Sequence, residues 1–208
     1  MDAIETLMNE HRTIERVLDA MTGFADETRR RGQTEADRGA EDKAELGRFV
    51  TFLRDYADAH HHHKEEDVLF EAMIAHGFPR EAGPVAVMLH EHDQGRALVR
   101  VLAQKAAAEG DWSDEDRQEL ADAAHGFSDL LHAHIHKEDR ILYPMAEQRL
   151  PPDALQVVAE ACAEQDQARA SSAERLVALA DELVARHASA VHPDHESPHA
   201  VRFGCSHF

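Results

Sequence analysis

The chain contains the stretch HHHKEEDVLFEAM at residues 61–73 and a second version of it, HIHKEDRILYPMA, at residues 134–146. Each version has a histidine four residues before a glutamate, His61 with Glu65 and His134 with Glu138. Because residues four apart lie on the same side of an α-helix, both side chains of each pair can reach one point beside the helix axis. The repeat therefore predicts two helices that carry polar groups on otherwise apolar faces.

A second match lies before each of these stretches. The segment LMNEH at residues 7–11 aligns with MLHEH at residues 88–92, so that His11 corresponds to His92. The repeated unit is therefore a pair of helices. The polar residues that recur on its apolar stripes are His11, His61, Glu65, His92, His134 and Glu138.

Apolar residues recur at helical spacing along almost the whole chain, which predicts an all-α fold. The predicted helices span residues 2–30, 42–76, 84–110, 113–150 and 152–187. Pro144 is expected to kink the fourth helix or to end it early, because proline lacks the backbone N–H that a helix interior uses. Four long helices with modest connections are typical of an up-down-up-down bundle, whose metal sites are built by inward side chains.

The predicted architecture is a four-helix bundle with an additional C-terminal helix packed outside it. We expect the metal-binding bundle at residues 1–150, the accessory helix at 151–189 and a flexible, histidine-rich tail at 190–208. The tail is interrupted by Pro193 and Pro198, which argues against a regular helix there.

Composition and charge exclude several classes of protein. The 208 residues include 22 Lys and Arg against 41 Asp and Glu, a net charge of −19, which argues against a nucleic-acid partner. The start of the chain is acidic, and no apolar run is long enough to suggest a membrane span. Cys162 and Cys205 form no CxxC pair, which suits a reducing compartment. We therefore expect a cytoplasmic protein without a membrane partner.

Carboxylates on apolar stripes require partners, since burying an unpaired charge costs several kcal/mol. Two helices with His-x3-Glu pairs, plus one histidine from each of two other helices, would converge on a central site. Imidazole and carboxylate ligands with open positions suit iron, with manganese or zinc as competitors. Bridging glutamates suit a pair of metal ions.

In chain order, EH at 10–11, HHxKEExxLF at 61–70, EHxxGR at 91–96 and HIxKEDxxLYP at 134–144 resemble the hemerythrin-like (HHE) cation-binding family. The resemblance covers residues 1–150 and implies the bundle named above, a topology for which myohemerythrin is a known example. It also implies two non-heme irons joined by an oxo or hydroxo bridge. The implied ligands are His11, His61, Glu65, His92, His134 and Glu138, with the two glutamates as bridges.

One departure from the family bears on function. Oxygen-carrying hemerythrins have a further histidine one turn before the position of His92, and this chain has Met88 there. The neighbours His60, His62 and His63 step away from the metal-facing stripe by about 100° per residue. They are therefore expected on the surface or behind the ligands, which leaves four histidines and an open coordination position.

The leading interpretation is a di-iron protein that binds or senses a small oxidant, namely dioxygen, nitric oxide or peroxide, at that position. An enzyme that consumes peroxide or nitric oxide is the first alternative. An iron store or a metal-stabilised interaction module is another, with the C-terminal helix as the docking surface. The sequence identifies no protein partner.

Overall fold

The computed structural model describes residues 3–32 and 38–187. Within these ranges the chain is helical and contains no β-strand, so the predicted all-α class is confirmed. The predicted tail at residues 190–208, with its histidines and Cys205, lies outside the described residues.

Five helices account for the described fold. They are α1, Ala3–Arg31; α2, residues 39–75; α3, Gly83–Ala106; α4, residues 114–149; and α5, Pro152–His187. The first four form the predicted bundle: α1 packs on α4, α4 on α3 and α3 on α2. Helix α5 lies outside them along α1 and α2, also as predicted.

Two of the helices contain π-helical turns, in which the backbone is wound more widely than in an α-helix. In α2 these are Leu53–His62 and Glu65–Leu69, and in α4 the wide turn is Glu138–Leu142. The last two of these turns begin at Glu65 and at Glu138, which are equivalent in the sequence repeat. The wider winding thus coincides with the glutamates of the candidate site, where π-turns often occur.

Pro144 does not end α4, although the regular α-helix stops at Lys137. A π-turn precedes the proline, and α-helix resumes over Tyr143–Arg149. A proline ring normally clashes with the carbonyl four residues earlier, and near a helix start its missing N–H costs nothing. The proline is thus accommodated at the first turn of the resumed helix.

Helix α4 begins at a capping box formed by Ser113 and Asp116. The Ser113 side chain accepts from the backbone N–H of Asp116 at 3.1 Å, and the Asp116 carboxylate accepts from the N–H of Ser113 at 2.9 Å. Helix α3 ends at Ala106, earlier than the predicted Gly110, which adopts a positive φ of 68° in the connection. The chain therefore turns sharply between α3 and α4.

A polar layer crosses the bundle between two clusters of apolar side chains. One cluster includes Phe24, Phe49, Leu102, Trp112 and Leu131, and the other includes Leu7, Phe70, Met88, Leu142 and Leu150. The histidines and glutamates of the repeat lie between the two clusters. Apolar packing on both sides limits the ways in which the polar layer can relax.

Helix α5 is held by an apolar stripe and by ion pairs. Its buried residues are Val158, Cys162, Leu176, Ala180 and Leu183. At its end, His187 Nε2 lies 2.8 Å from Glu45 Oε1 on α2. No helix in the described ranges combines the length and the apolar character needed to cross a bilayer.

Candidate metal centre

The structure brings together all of the site residues predicted from the sequence. Each of them is at most 1% exposed, and they come from α1, α2, α3 and α4: His11, His61, Glu65, His92, His134 and Glu138. Their burial in the polar layer follows from the apolar residues on either side of each one in the helical pattern. The bundle therefore gathers imidazoles and carboxylates from four separate segments of the chain.

Together with His62, these side chains form two groups in which the potential ligand atoms lie within 4.8 Å of one another. The first group is His11, His61, Glu65 and Glu138, and the second is His62, Glu65, His92 and His134. Glu65 belongs to both groups. Glu138 Oε2 also lies between them, 3.3 Å from His11 Nε2 and 3.2 Å from His134 Nε2. Both glutamates therefore lie between the two groups of potential ligands.

Within residues 3–32 and 38–187, several buried polar atoms at this point have no hydrogen-bond partner. They are Glu65 Oε2 and both carboxylate oxygens of Glu138. The Nε2 atoms of His92 and His134 approach each other to 3.0 Å. Unpartnered carboxylate oxygens cost several kcal/mol in an apolar interior, and a cation among them would remove that cost. The residues present therefore fit a metal ion in chemistry and in placement.

The two glutamates also oppose each other electrostatically. Burial, together with the charge of Glu138, raises the pKa of Glu65 well above its usual value. Glu138 is equally buried, yet the positive charge of His134 and the nearby imidazole of His11 lower its pKa. The chain alone thus favours one ionised carboxylate at a time, whereas bound cations would favour two.

A carboxylate lies behind each inward histidine, on its Nδ1 side. The pairs are His11 with Asp139 at 2.7 Å, His61 with Glu10 at 2.8 Å, His62 with Asp58 at 3.4 Å, His92 with Glu66 at 2.6 Å and His134 with Glu91 at 2.9 Å. When Nδ1 donates to a carboxylate, Nε2 keeps its lone pair and points into the site. This arrangement orients histidines for metal binding and makes them more basic.

The outer carboxylates follow the sequence repeat. Glu10 and Glu91, one residue before His11 and His92, accept from the His-x3-Glu histidine of their own repeat unit. Glu66 and its counterpart Asp139 accept from the histidine of the other unit. Sequence reasoning had treated these acids only as parts of motifs. Their recurrence next to each ligand position was the signal that could have identified them.

His62 was the main residue that sequence reasoning missed. Of the two places predicted for it, the surface is wrong, because His62 is only 5% exposed and its ring stacks on that of His92 with centroids 3.9 Å apart. A ring nitrogen of His62 also lies within 4.8 Å of potential ligand atoms of Glu65, His92 and His134. The repeat contained a signal: the equivalent position is Ile135, a buried apolar residue. A position that is apolar in one unit faces inward in both, so five imidazoles converge here.

The phenol of Tyr143 makes the two groups different. Its hydroxyl donates to Glu65 Oε1 at 2.5 Å and lies 3.4 Å from His11 Nε2. The equivalent residue in the other unit is Phe70, whose ring lies 6.0 Å from that of His92. One group therefore has a third imidazole from His62, and the other has a phenol beside it.

A third cluster of possible ligands, Glu10, His60 and Asp166, lies where α1, α2 and α5 meet. Here the chain supplies its own cation. The ammonium group of Lys64, whose side chain is fully buried, donates to Glu10 and, at 2.6 Å, to Asp166. His60 Nε2 also contacts Glu10, at 3.1 Å. This cluster is therefore an ion-pair network that supports the histidine layer from outside.

Comparisons with known proteins find one curated relative and one family. A relative in Musicola paradisiaca (strain Ech703), the "Iron-sulfur cluster repair protein YtfE", is 38% identical over 90 residues. That match covers 41% of this chain and 40% of the relative, so the chain spans less than half of that protein. No solved structure matches the chain.

The sequence of one known family matches most of the chain. The family is "Hemerythrin HHE cation binding domain", and it matches residues 2–146, which include helices α1 to α3 and nearly all of α4. The two buried groups of imidazoles and carboxylates, which could hold metal ions, lie within this range. The chain belongs to the hemerythrin HHE cation-binding family.

Proposed function

We propose that the chain holds two iron ions and binds or senses a small oxidant ligand: dioxygen, nitric oxide or peroxide. The observation that carries the proposal is the pair of buried ligand groups that share Glu65. His11, His61, Glu65 and Glu138 would hold one ion, and Glu65, His92, His134 and His62 the other. Iron is favoured over zinc or manganese because the Musicola relative is named for the repair of iron–sulfur clusters.

The inclusion of His62 changes where an open coordination position would lie. With Glu138 as a second bridge, the group containing His62 offers three imidazoles, and the group of His11 and His61 offers two. Met88 lies in the apolar cluster, and His62 supplies an imidazole from α2 instead. The open position is therefore expected on the His11 side, next to Tyr143.

Iron in this site would supply ligand binding and reversible electron transfer. The chain's own residues then set the conditions. In the metal-free chain, burial and the charges of Glu65 and Glu138 raise the pKa of Tyr143 well above its usual value, so its hydroxyl keeps its proton and can donate it in a hydrogen bond. The apolar clusters on both sides exclude water from the ligand atoms. The outer carboxylates hold the imidazole rings in place as charge changes.

The proposal is tested by preparing the reduced, iron-loaded chain without oxygen, adding each ligand separately and recording the absorption spectrum. A sensor or carrier shows a change that reverses when the ligand is removed. Catalytic loss of peroxide or nitric oxide would instead identify the enzyme, and retention of many irons per chain would identify the store. No spectral change with any ligand would contradict the proposal.

We expect His62→Ile, which copies the residue of the other repeat unit, to weaken metal binding at one position by about 100-fold or more. The second ion should bind nearly as in the unchanged chain. His63→Ile is the control, because the His63 side chain is 44% exposed and, among the described residues, pairs only with Asp67. Titration with ferrous iron monitored by calorimetry distinguishes the two variants. Equal affinities in both would exclude His62 as a ligand.

We also propose that the protein works in the cytoplasm. Cys162, on the buried face of α5, is a free thiol, as a reducing compartment allows. Fractionation of the native cells, with detection of the chain by antibody, tests this placement. Recovery in a secreted or membrane fraction would contradict it.

A further inference from the structure

A cavity of about 180 Å³ lies between α2 and α3, outside the two candidate metal groups. Its walls are largely apolar and include Leu53, Ala57, Val99 and Phe127. Apolar cavities of about 150 Å³ accept a molecule the size of benzene. The cavity between α2 and α3 is therefore large enough for a small organic molecule.

Gly95 contributes to this space from α3. A Cβ atom at this position would lie only 3.2 Å from Phe127 Cε2, so a larger residue would press on the wall. At its buried end the cavity reaches His62, which is only 5% exposed and stacks on His92. An occupant would thus touch one of the five convergent imidazoles.

The outer end of the cavity carries positive charge. Arg54 on α2 and Arg100 on α3 line it, and both are exposed. In the part of the chain that the structure describes, neither has a carboxylate within ion-pair distance. Arg96 and the carboxylate of Asp58 also line the cavity, but they are paired with each other at 2.8 Å, and Arg96 pairs with Glu66 at 2.7 Å as well.

Two unpaired guanidinium groups at one opening are notable in a chain of net charge −19. Guanidinium groups bind carboxylates through paired, charge-assisted hydrogen bonds. A ligand with an apolar portion and one anionic group could contact the apolar walls and pair with the two arginines. A neutral gas or peroxide would leave the arginines unused.

We propose that this cavity is a binding site for a small organic acid. Its carboxylate lies between Arg54 and Arg100, its apolar body contacts the walls, and its far end rests against His62. The site depends on the chain alone, and it would place an occupant beside the candidate metal centre. The inference therefore does not require that the bound metal is iron.

The test titrates benzoate into the full-length, metal-loaded chain by calorimetry, with benzamide as the neutral match. We expect saturable binding of about one benzoate per chain, at least about tenfold tighter than benzamide. The double variant Arg54→Gln/Arg100→Gln should bind benzoate about tenfold or more weakly. Both arginines are exposed, so the variant is expected to fold, which circular dichroism checks. Arg175→Gln, an exposed arginine on α5, is the control and should bind as the unchanged chain does.

Three results would overturn the inference: no saturable binding, equal affinity for benzamide, or benzoate binding that survives in the double variant. The last result would indicate that benzoate coordinates the metal directly. Iron content measured on the same samples separates this inference from the proposed function. Benzoate binding to a chain that takes up no iron would support the cavity site and contradict the di-iron proposal.

Discussion

Glu65→Gln is expected to reduce bound iron from about two ions per chain to fewer than one, because both candidate groups lose their shared carboxylate. Glutamine keeps the size of the side chain but cannot bridge two cations with a negative charge. Atomic absorption of the purified variant, loaded in parallel with the unchanged chain, measures the effect. Unchanged occupancy would exclude Glu65 as a bridge.

The same substitution should increase the stability of the metal-free chain. The raised pKa of Glu65 means that the folded chain holds a proton which the unfolded chain releases above its usual pKa of 4.5. The free energy of unfolding of the metal-free chain therefore falls as pH rises above about 4.5. Glu65→Gln removes this loss and should stabilise the metal-free chain by about 1–3 kcal/mol at neutral pH.

Urea unfolding of the metal-free chain and of its Glu65→Gln variant, between acidic and mildly alkaline pH, measures this change in stability. Glu71→Gln is the matched control on the same helix, because its carboxylate is exposed and Arg80 is its only ion-pair partner in the part of the chain that the structure describes. It should leave both iron content and the pH dependence unchanged. A metal-free Glu65→Gln chain that is less stable than the unchanged chain would contradict the account of buried charge.

Lys64→Met is expected to destabilise the chain by about 3–5 kcal/mol, since it leaves Glu10 and Asp166 without their shared cation. Methionine keeps most of the buried volume, so the loss comes from the charge. For a chain of this size, the melting temperature should fall by roughly 6–20 °C. Calorimetric melting of the metal-free chain measures the fall without a contribution from bound metal.

The sequence repeat supplies the control for this prediction. Lys137 is the counterpart of Lys64 and contacts Glu91 as Lys64 contacts Glu10, but its side chain is 34% exposed. Lys137→Met should therefore cost only about 1 kcal/mol or less. Losses of equal size in the two variants would show that burial of Lys64 is not the cause.

The fold and six of the convergent residues could be predicted because their signals are periodic. His11 and His92, like the His-x3-Glu pairs, occupy apolar stripes twice at equivalent positions in the chain. A single unit of this pattern would have been compatible with an exposed ion pair. Because the pattern occurs twice, the simpler interpretation is that these side chains point into the bundle.

The residues that escaped prediction depend on details that helical spacing does not contain. His62 was placed by assuming regular α-helical steps, but it ends a π-helical segment, in which successive residues turn through a different angle. The partner of Lys64, Asp166, lies on α5, which is outside the repeat. Long-range contacts of this kind have no counterpart in local sequence.

The most direct test of the account is the metal content of the tag-free chain, measured together with its ultraviolet–visible spectrum before and after peroxide. The account predicts about two irons per chain and a spectrum that changes when the ligand binds. One metal ion per chain, none, or zinc alone would contradict the di-iron proposal.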